Sequence, residues 1–254
     1  MEQSLVDKVA LVTGGAHRVG KAIALALAAQ GAHQIVHFHD AADAAQETVR
    51  EVKSLGVDAI CVQADQADPS QVDALFEAVK AQYGRLDILV NSANLFTRGD
   101  FLTLDHREWQ RALDVNLTGP FLCSQAAAHL MLDRDEPGGV ILNILDNSAL
   151  QPWPDHPQHS VVKAALLMLG QVMARSLGPY IRVNSIVPGP VLKTPGGSNE
   201  QWVSIGERLP LKRTGTPEDV GRAAVYLARE DFLTGVVLNV DGGESLIDSG
   251  ANEQ

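Results

Sequence analysis

Short, almost uninterrupted apolar runs, each followed by residues at helical spacing, constrain this chain more than any other feature. Val9-Ala-Leu-Val-Thr13 passes through Gly14-Gly15 into Val19, Ile23 and Leu27, which share one helical face. The pattern returns at residues 34–38, followed by a helix through Val49 and Val52, and at 59–62, followed by a helix through Val72, Leu75 and Val79. Residues 86–90, apolar apart from Asp87, precede one long helical stretch over about 106–132. Runs at 140–145, 181–187 and 236–240 complete the strands, with a helix carrying Lys163 and another over 217–227 between them. A strand apolar at every position needs cover on both faces, and a strand–helix alternation supplies it. The expectation is an α/β fold: a doubly wound, mostly parallel sheet forming a single domain over residues 1–254. Residues 190–207, Gly/Pro-rich as far as about Gly197, read as a lid over a substrate, and 248–254 as a loose tail.

Bulk properties narrow the partners. At 254 residues and 45% hydrophobic content the chain can bury one large core. A net charge of −11 repels phosphate backbones and anionic lipid, so no nucleic-acid or membrane partner is expected. No run approaches membrane-spanning length and the N-terminus carries Glu2 and Asp7 without a signal-like segment, which makes the cytoplasm the default compartment. Cys61 and Cys123 offer neither a disulfide framework nor metal-ligand spacing and read as core packing.

Chemistry concentrates between Leu145 and Leu166. Asp146 follows the apolar run directly, a loop punctuated by Pro152, Pro154 and Pro157 comes next, and a helix opens with Pro157 in its first turn. His159 and Lys163 are then four residues apart on one helical face, so a carboxylate at a strand end meets an imidazole and an ammonium. Trp153 and His156 read as solvent-facing loop residues. A zinc site from Asp155, His156 and His159 has no supporting ligand cluster, so no metal is expected. The turn Thr13-Gly14-Gly15-Ala16-His17-Arg18-Val19-Gly20 is glycine-rich, with Arg18 where a phosphate-binding fingerprint usually has its middle glycine, and is by itself a weak signal.

Taken together, Thr13-Gly14 with Gly20, Asp65, Asn91-Ser-Ala93, Asn116, Lys163, the stretch from Ile181 to Pro188-Gly189, and that from Phe232 to Gly243 resemble the short-chain dehydrogenase/reductase family over residues 6–247. Within it, Arg18, Asp146 and Phe96 are similar to the pteridine reductase branch. The resemblance implies a Rossmann-like fold and a nicotinamide cofactor held by Gly14, His17, Arg18, Gly20, His39, Asp65, Asn91, Ala93, Lys163, Pro188 and Gly189. It implies catalytic roles for Asn116, Asp146, His159 and Lys163, with Phe96 and Asp146 meeting the substrate. Asp65 would lie beside the adenine or cap a helix, and Phe96 would stack on a pterin or serve the core. Asn116 would bend its helix and position water near Lys163.

At the end of the second strand, His37-Phe38-His39-Asp40 places an acid where pterin-type relatives carry arginine. His17 and Arg18 favour a 2′-phosphate and Asp40 opposes it, so the resemblance tips toward NADP(H) and leaves NAD(H) open. The family's proton-donating tyrosine is replaced by His159. Two readings follow: a reductase passing hydride to a C=N or C=O bond of a small heterocyclic or carbonyl substrate, such as a pterin, with the proton from His159, Asp146 or water between them; or a dinucleotide-binding pseudoenzyme or regulatory module. The family also implies a homo-oligomer, usually a tetramer; Met131, Leu167, Met168 and Met173 are candidate contacts, or serve the core equally well.

Overall fold

The computed structural model describes residues 3–193 and 196–247, so the expected tail at 248–254 lies outside the described residues. In chain order the elements are β1 (Val9–Val12), α1 (Arg18–Ala28), β2 (His33–Phe38), α2 (Ala42–Ser54), β3 (Ala59–Gln63), α3 (Pro69–Tyr83) and β4 (Ile88–Asn91). There follow α4 (His106–Leu113), α5 (Gly119–Leu132), β5 (Gly139–Ile144), α6 (Pro157–Leu177), β6 (Ile181–Pro188), α7 (Asn199–Arg208), α8 (Pro217–Arg229) and β7 (Val237–Val240). The seven strands form one sheet in the order β3-β2-β1-β4-β5-β6-β7, with every pairing parallel.

Because successive strand residues point to opposite faces, each apolar run feeds two cores at once. Ala10 and Val12 of β1 pack with Ile23, Leu27, Val220 and Leu227 beneath α1 and α8. Val9 and Leu11 pack on the other face with Leu75, Phe76, Met131 and Ile141 beneath α3 and α5. This is the double winding that the apolar runs required. The chain runs outward from β1 through β2 to β3, then returns to start β4 on the other side of β1. That reversal opens a crevice at the carboxyl ends of β1 and β4, where ligands of open α/β sheets bind.

Three local features depart from the sequence expectation. The single helix expected over 106–132 is two helices joined by a wide π-helical turn, Asp114–Thr118. Asn116, within that turn, uses its side chain on the backbone of Leu95. The expected lid contains α7, which Ser198 and Gln201 start as a reciprocal capping box. Finally, α6 is long and apolar enough to cross a membrane by length and composition, contrary to the expectation that no segment is. Its polar residues Gln158, His159, Ser160 and Lys163 are buried against the rest of the fold. Of the candidate oligomer contacts, Met131 is fully buried in the core, whereas Met168 is 57% exposed.

Candidate active site

The phosphate turn is shaped from three sides. Thr13 Oγ1 accepts hydrogen bonds from the amides of Ser92 and Ala93, both at 3.0 Å, tying β1 to the segment after β4. Gly14 has φ +64°, and a side chain there would meet the Ala93 backbone at 2.8 Å. Arg18 has a left-handed backbone, with φ +57°. His17 caps α1 by position only: its side chain makes no cap bond and no acid occupies the helix's first turn. First-turn N–H groups are therefore left for an anion, with His17 and Arg18 exposed beside them. On these observations the turn fits a dinucleotide pyrophosphate.

At the far end of the crevice His39 and Asp40 are exposed at the end of β2. Asp65 does not cap α3; Asp68 does, accepting from the Ser70 amide at 2.9 Å. Asp65 instead pairs with Arg111 at 3.1 Å and lies 3.9 Å from His39. Burial pushes its pKa up, but the Ala67 amide and Arg111 outweigh that and leave it lowered.

At the reaction end, Asn91 at the tip of β4 donates to Ser124 Oγ and Asn143 Oδ1 at 3.0 and 2.9 Å. Asn116 Oδ1 accepts from Leu95 N at 2.7 Å and its Nδ2 donates to Leu95 O at 2.8 Å, fixing the chain just before Phe96. The wide turn holding Asn116 packs against α6. Lys163 Nζ donates to the Ile144 carbonyl at 2.9 Å. Burial lowers the Lys163 pKa, and Asp146 opposes it. An ammonium has three donors, so Lys163 can also bind hydroxyls of a cofactor ribose. Pro188 and Gly189 close the carboxyl edge of β6, where a side chain on Gly189 would strike Asp241 at 2.7 Å.

Asp146 and His159 touch directly, Oδ2 to Nε2 at 2.6 Å, with no room for a water between them. The other carboxylate oxygen accepts from the Ser148 amide at 3.0 Å and from its hydroxyl. Burial raises the Asp146 pKa, but the His159 bond, the Lys163 charge and Ser148 prevail and hold it at about 2. An ionised carboxylate only accepts, so His159 carries a proton on Nε2. Its Nδ1 is buried and has no partner among the described residues.

The aromatic residues differ most from the sequence reading. Phe96 stacks on His156, with centroids 4.5 Å apart and planes at 17°, and meets His159 edge-on at 4.8 Å. Trp153 closes the group, 6.3 Å from the His159 ring. His156, expected to face solvent, is 9% exposed, and His159 is fully buried beneath this cover. Phe96 is half exposed, with one face already taken.

Other residues were not anticipated. His37 bridges two loops of the crevice. Gln158 donates to the Thr97 carbonyl and hydroxyl, both at 3.0 Å, clasping the loop behind Phe96. Glu244 bonds Asn147, the neighbour of Asp146, from 97 positions along the chain, and burial raises its pKa. His37 carried a signal, a histidine flanked by Ile35, Val36 and Phe38 near the end of a strand; Glu244 carried none. Among the described residues no group of three or more potential metal ligands stands together.

Comparison with known proteins fits this geometry. Residues 14–245 match the family described as Enoyl-(Acyl carrier protein) reductase. The chain is 35% identical to the 3-oxoacyl-[acyl-carrier-protein] reductase of Synechocystis over 94% of its length and 98% of that protein's. A solved mutant short-chain dehydrogenase/reductase of Serratia marcescens superposes with TM-score 0.88 at 33% identity, covering 96% of this chain and all of that one. The chain belongs to the short-chain dehydrogenase/reductase family. A further relative, a blue fluorescent protein from a metagenomic library solved in complex with NADPH, has TM-score 0.86 and 34% identity, covering 95% of this chain and 99% of that one. In this short-chain dehydrogenase/reductase, the phosphate turn follows β1, Asn91 ends β4 and Asp146, bonded to His159, follows β5, all at the carboxyl ends of neighbouring strands.

Proposed function

We propose that this protein is an NADPH-dependent reductase acting on the C=O bond of a small carbonyl substrate, with His159 in place of the usual tyrosine as proton donor. The observation that carries the reading is the direct 2.6 Å contact between Asp146 and His159, which leaves His159 Nδ1 as the one nitrogen of the ring free to exchange a proton. Gly14, His17, Arg18 and Gly20 would hold the pyrophosphate. His39 and Asp65 would flank the adenosine, and Asn91, Ala93, Lys163, Pro188 and Gly189 the nicotinamide half. When bound, the reduced dinucleotide supplies a hydride to the carbonyl carbon.

The chain's own groups manage the matching proton. Asp146 remains ionised at neutral pH and cannot be the donor. It holds Nε2–H, so a proton added to His159 resides on Nδ1, and the carboxylate stabilises the resulting imidazolium. Transfer of that proton to the carbonyl oxygen completes an alcohol and returns a neutral ring. Lys163 adds its positive charge next to Asp146. His17 and Arg18 offer positive charge for a 2′-phosphate, and the NADPH complex of one relative agrees with that preference. Carbonyl compounds fit better than the pterin suggested by Arg18, Phe96 and Asp146. Relatives are named for 3-oxoacyl chemistry, and His156 already covers one face of Phe96.

One observation favours a second reading. His159 is fully buried beneath Phe96, Trp153 and His156, so a substrate reaches Nδ1 only if that cover moves. A dinucleotide-binding module without turnover would need no such movement. Mixing the protein with NADPH or NADH and a panel of ketones, aldehydes, quinones and dihydropterins separates the two. Oxidation of either dinucleotide supports the reductase; tight binding with no turnover on any panel member supports the module.

A further inference from the structure

We infer that His37 is a positioning residue for the dinucleotide: its imidazole is a strut that fixes the phosphate turn against the loop carrying Asp65 before any ligand arrives. The inference rests on the dinucleotide reading above and extends it to a residue that would touch neither phosphate nor base.

His37 lies near the end of β2 and is 1% exposed. Its Nδ1 accepts the Gly14 N–H at 3.1 Å, and its Nε2 faces the Ala64 carbonyl at 3.0 Å. Its backbone carbonyl accepts the Gly15 N–H at 3.0 Å. The first two amides of the phosphate turn therefore both end on one residue. Ala64 immediately precedes Asp65, so the same ring also holds the loop on the adenosine side.

Only one protonation state satisfies both ring contacts. Gly14 N–H is a donor, so Nδ1 must present its lone pair; the Ala64 carbonyl accepts, so Nε2 must carry the proton. An imidazolium would set N–H against N–H at Gly14 and drive the turn open. Burial favours the neutral ring and presses its pKa from 6.5 down to about 4; the Ala64 bond and Asp65 oppose this, while His39 adds to it. With Thr13 fastening the turn from the β4 side, His37 fastens it from the β2 side. An aliphatic side chain could fill the same volume, but it would leave the Gly14 amide without this partner. A binding loop held in shape in advance spares the ligand the work of ordering it.

The test is titration of NADPH, followed by its fluorescence, into wild-type protein, His37→Phe and His37→Asn. Phenylalanine keeps a ring but removes both nitrogens. Asparagine places its amide oxygen where Nδ1 sits and restores the acceptor for Gly14. His37→Phe should bind about 10- to 100-fold more weakly, while His37→Asn should stay within about 3-fold of wild type, a rescue that simple loss of packing would not give.

A wild-type protein that binds neither NADPH nor NADH overturns the dinucleotide reading and the strut with it. Tight wild-type binding matched by His37→Phe overturns the strut alone, as does a folded His37→Asn no better than His37→Phe. If His37→Phe does not fold, amide exchange in the wild type decides: a protected Gly14 N–H supports the strut, and exchange at the rate of an open loop overturns it.

Discussion

Two acids at opposite ends of the sheet, Asp87 before β4 and Asp146 after β5, are both largely buried and both depressed in pKa, yet they are built from different partners. Asp87 receives the Val9 amide at 2.9 Å, two bonds from Arg85 at 2.9 and 2.6 Å, and one from Arg134 at 3.0 Å, with Lys8 at 3.9 Å. Burial raises its pKa, but Arg85, Val9 and Arg134 more than offset that. Its charged partners are guanidiniums and an ammonium, which stay charged across the physiological range. Asp146 is held by a hydroxyl, an amide and an imidazole, and the imidazole leaves Nδ1 unpartnered. The amino end of the sheet is electrically closed; the carboxyl end keeps a proton that can move. On the proposed function, stability and chemistry occupy opposite ends of the neighbouring strands β4 and β5.

The sharpest way to break this comparison is at His159. With any carbonyl substrate that the wild type reduces, His159→Ala should lower kcat by about 10²- to 10⁴-fold, the usual worth of a positioned proton donor. An undiminished rate would remove the imidazole from the chemistry and reduce the Asp146 cluster to another structural ion pair. At the other end, Asp87→Ala removes the acceptor of the Val9 amide and of Arg85 and Arg134, of which Arg85 still reaches solvent, and should destabilise the fold by about 2–4 kcal/mol. In a melting experiment that is a fall on the order of 10 °C, and NADPH affinity of the folded protein should not change. A loss of cofactor affinity without loss of stability would reverse the assignment of the two ends.

Acid separates them in a second way, because the crevice has a group that titrates where Asp87 is silent. His37 has its folded pKa lowered from 6.5 to about 4. The unfolded chain therefore binds a proton that the folded chain refuses. The stability this group gives is complete above 6.5 and is lost as pH falls from there toward 4, a window worth about 3 kcal/mol. Urea unfolding at pH 7 and pH 4.5 should show this loss in the wild type and a smaller one in His37→Asn. Equal losses would mean that other groups carry the acid sensitivity.

The same contrast explains what could be read from the sequence. Strand alternation, the phosphate turn and the 13-residue interval from Asp146 to His159 are local periodicities or loops on strand ends, and the fold brings them together as the parallel sheet requires. Asp87 was visible only as an acid inside an apolar run, because its partners Lys8 and Arg134 lie on other elements. The burial of His156 was not legible because the loop over 147–156 folds inward, with Trp153 N bonded to Ser160 Oγ at 3.0 Å and Gly99 N bonded to Asp155 O. A proline-rich loop gives no periodic signal of which side it turns. The wide turn at Asn116 was legible only through the family resemblance, which implied a bend there; helical spacing carries no signal of the bonds its side chain makes to Leu95, 21 residues away.

The smallest expected effect is the most local. Each end of the sheet has a residue other than glycine in the left-handed region: Asp7 with φ 60° just before β1, and Arg18 with φ 57° just after it. Aspartate tolerates that conformation, whereas arginine pays about 1–2 kcal/mol for it. Arg18→Gly would relieve this strain but add about 0.5–1 kcal/mol of backbone entropy loss on folding. The net gain should be no more than about 1 kcal/mol by urea unfolding. The same variant removes a cation beside the expected pyrophosphate and should bind NADPH several-fold more weakly. A protein that became both more stable and weaker in binding would show strain retained at the carboxyl end for the ligand. If Arg18→Gly instead lost stability, the arginine side chain would be supporting the turn structurally, and the carboxyl end would resemble the Asp87 end more closely than its geometry indicates.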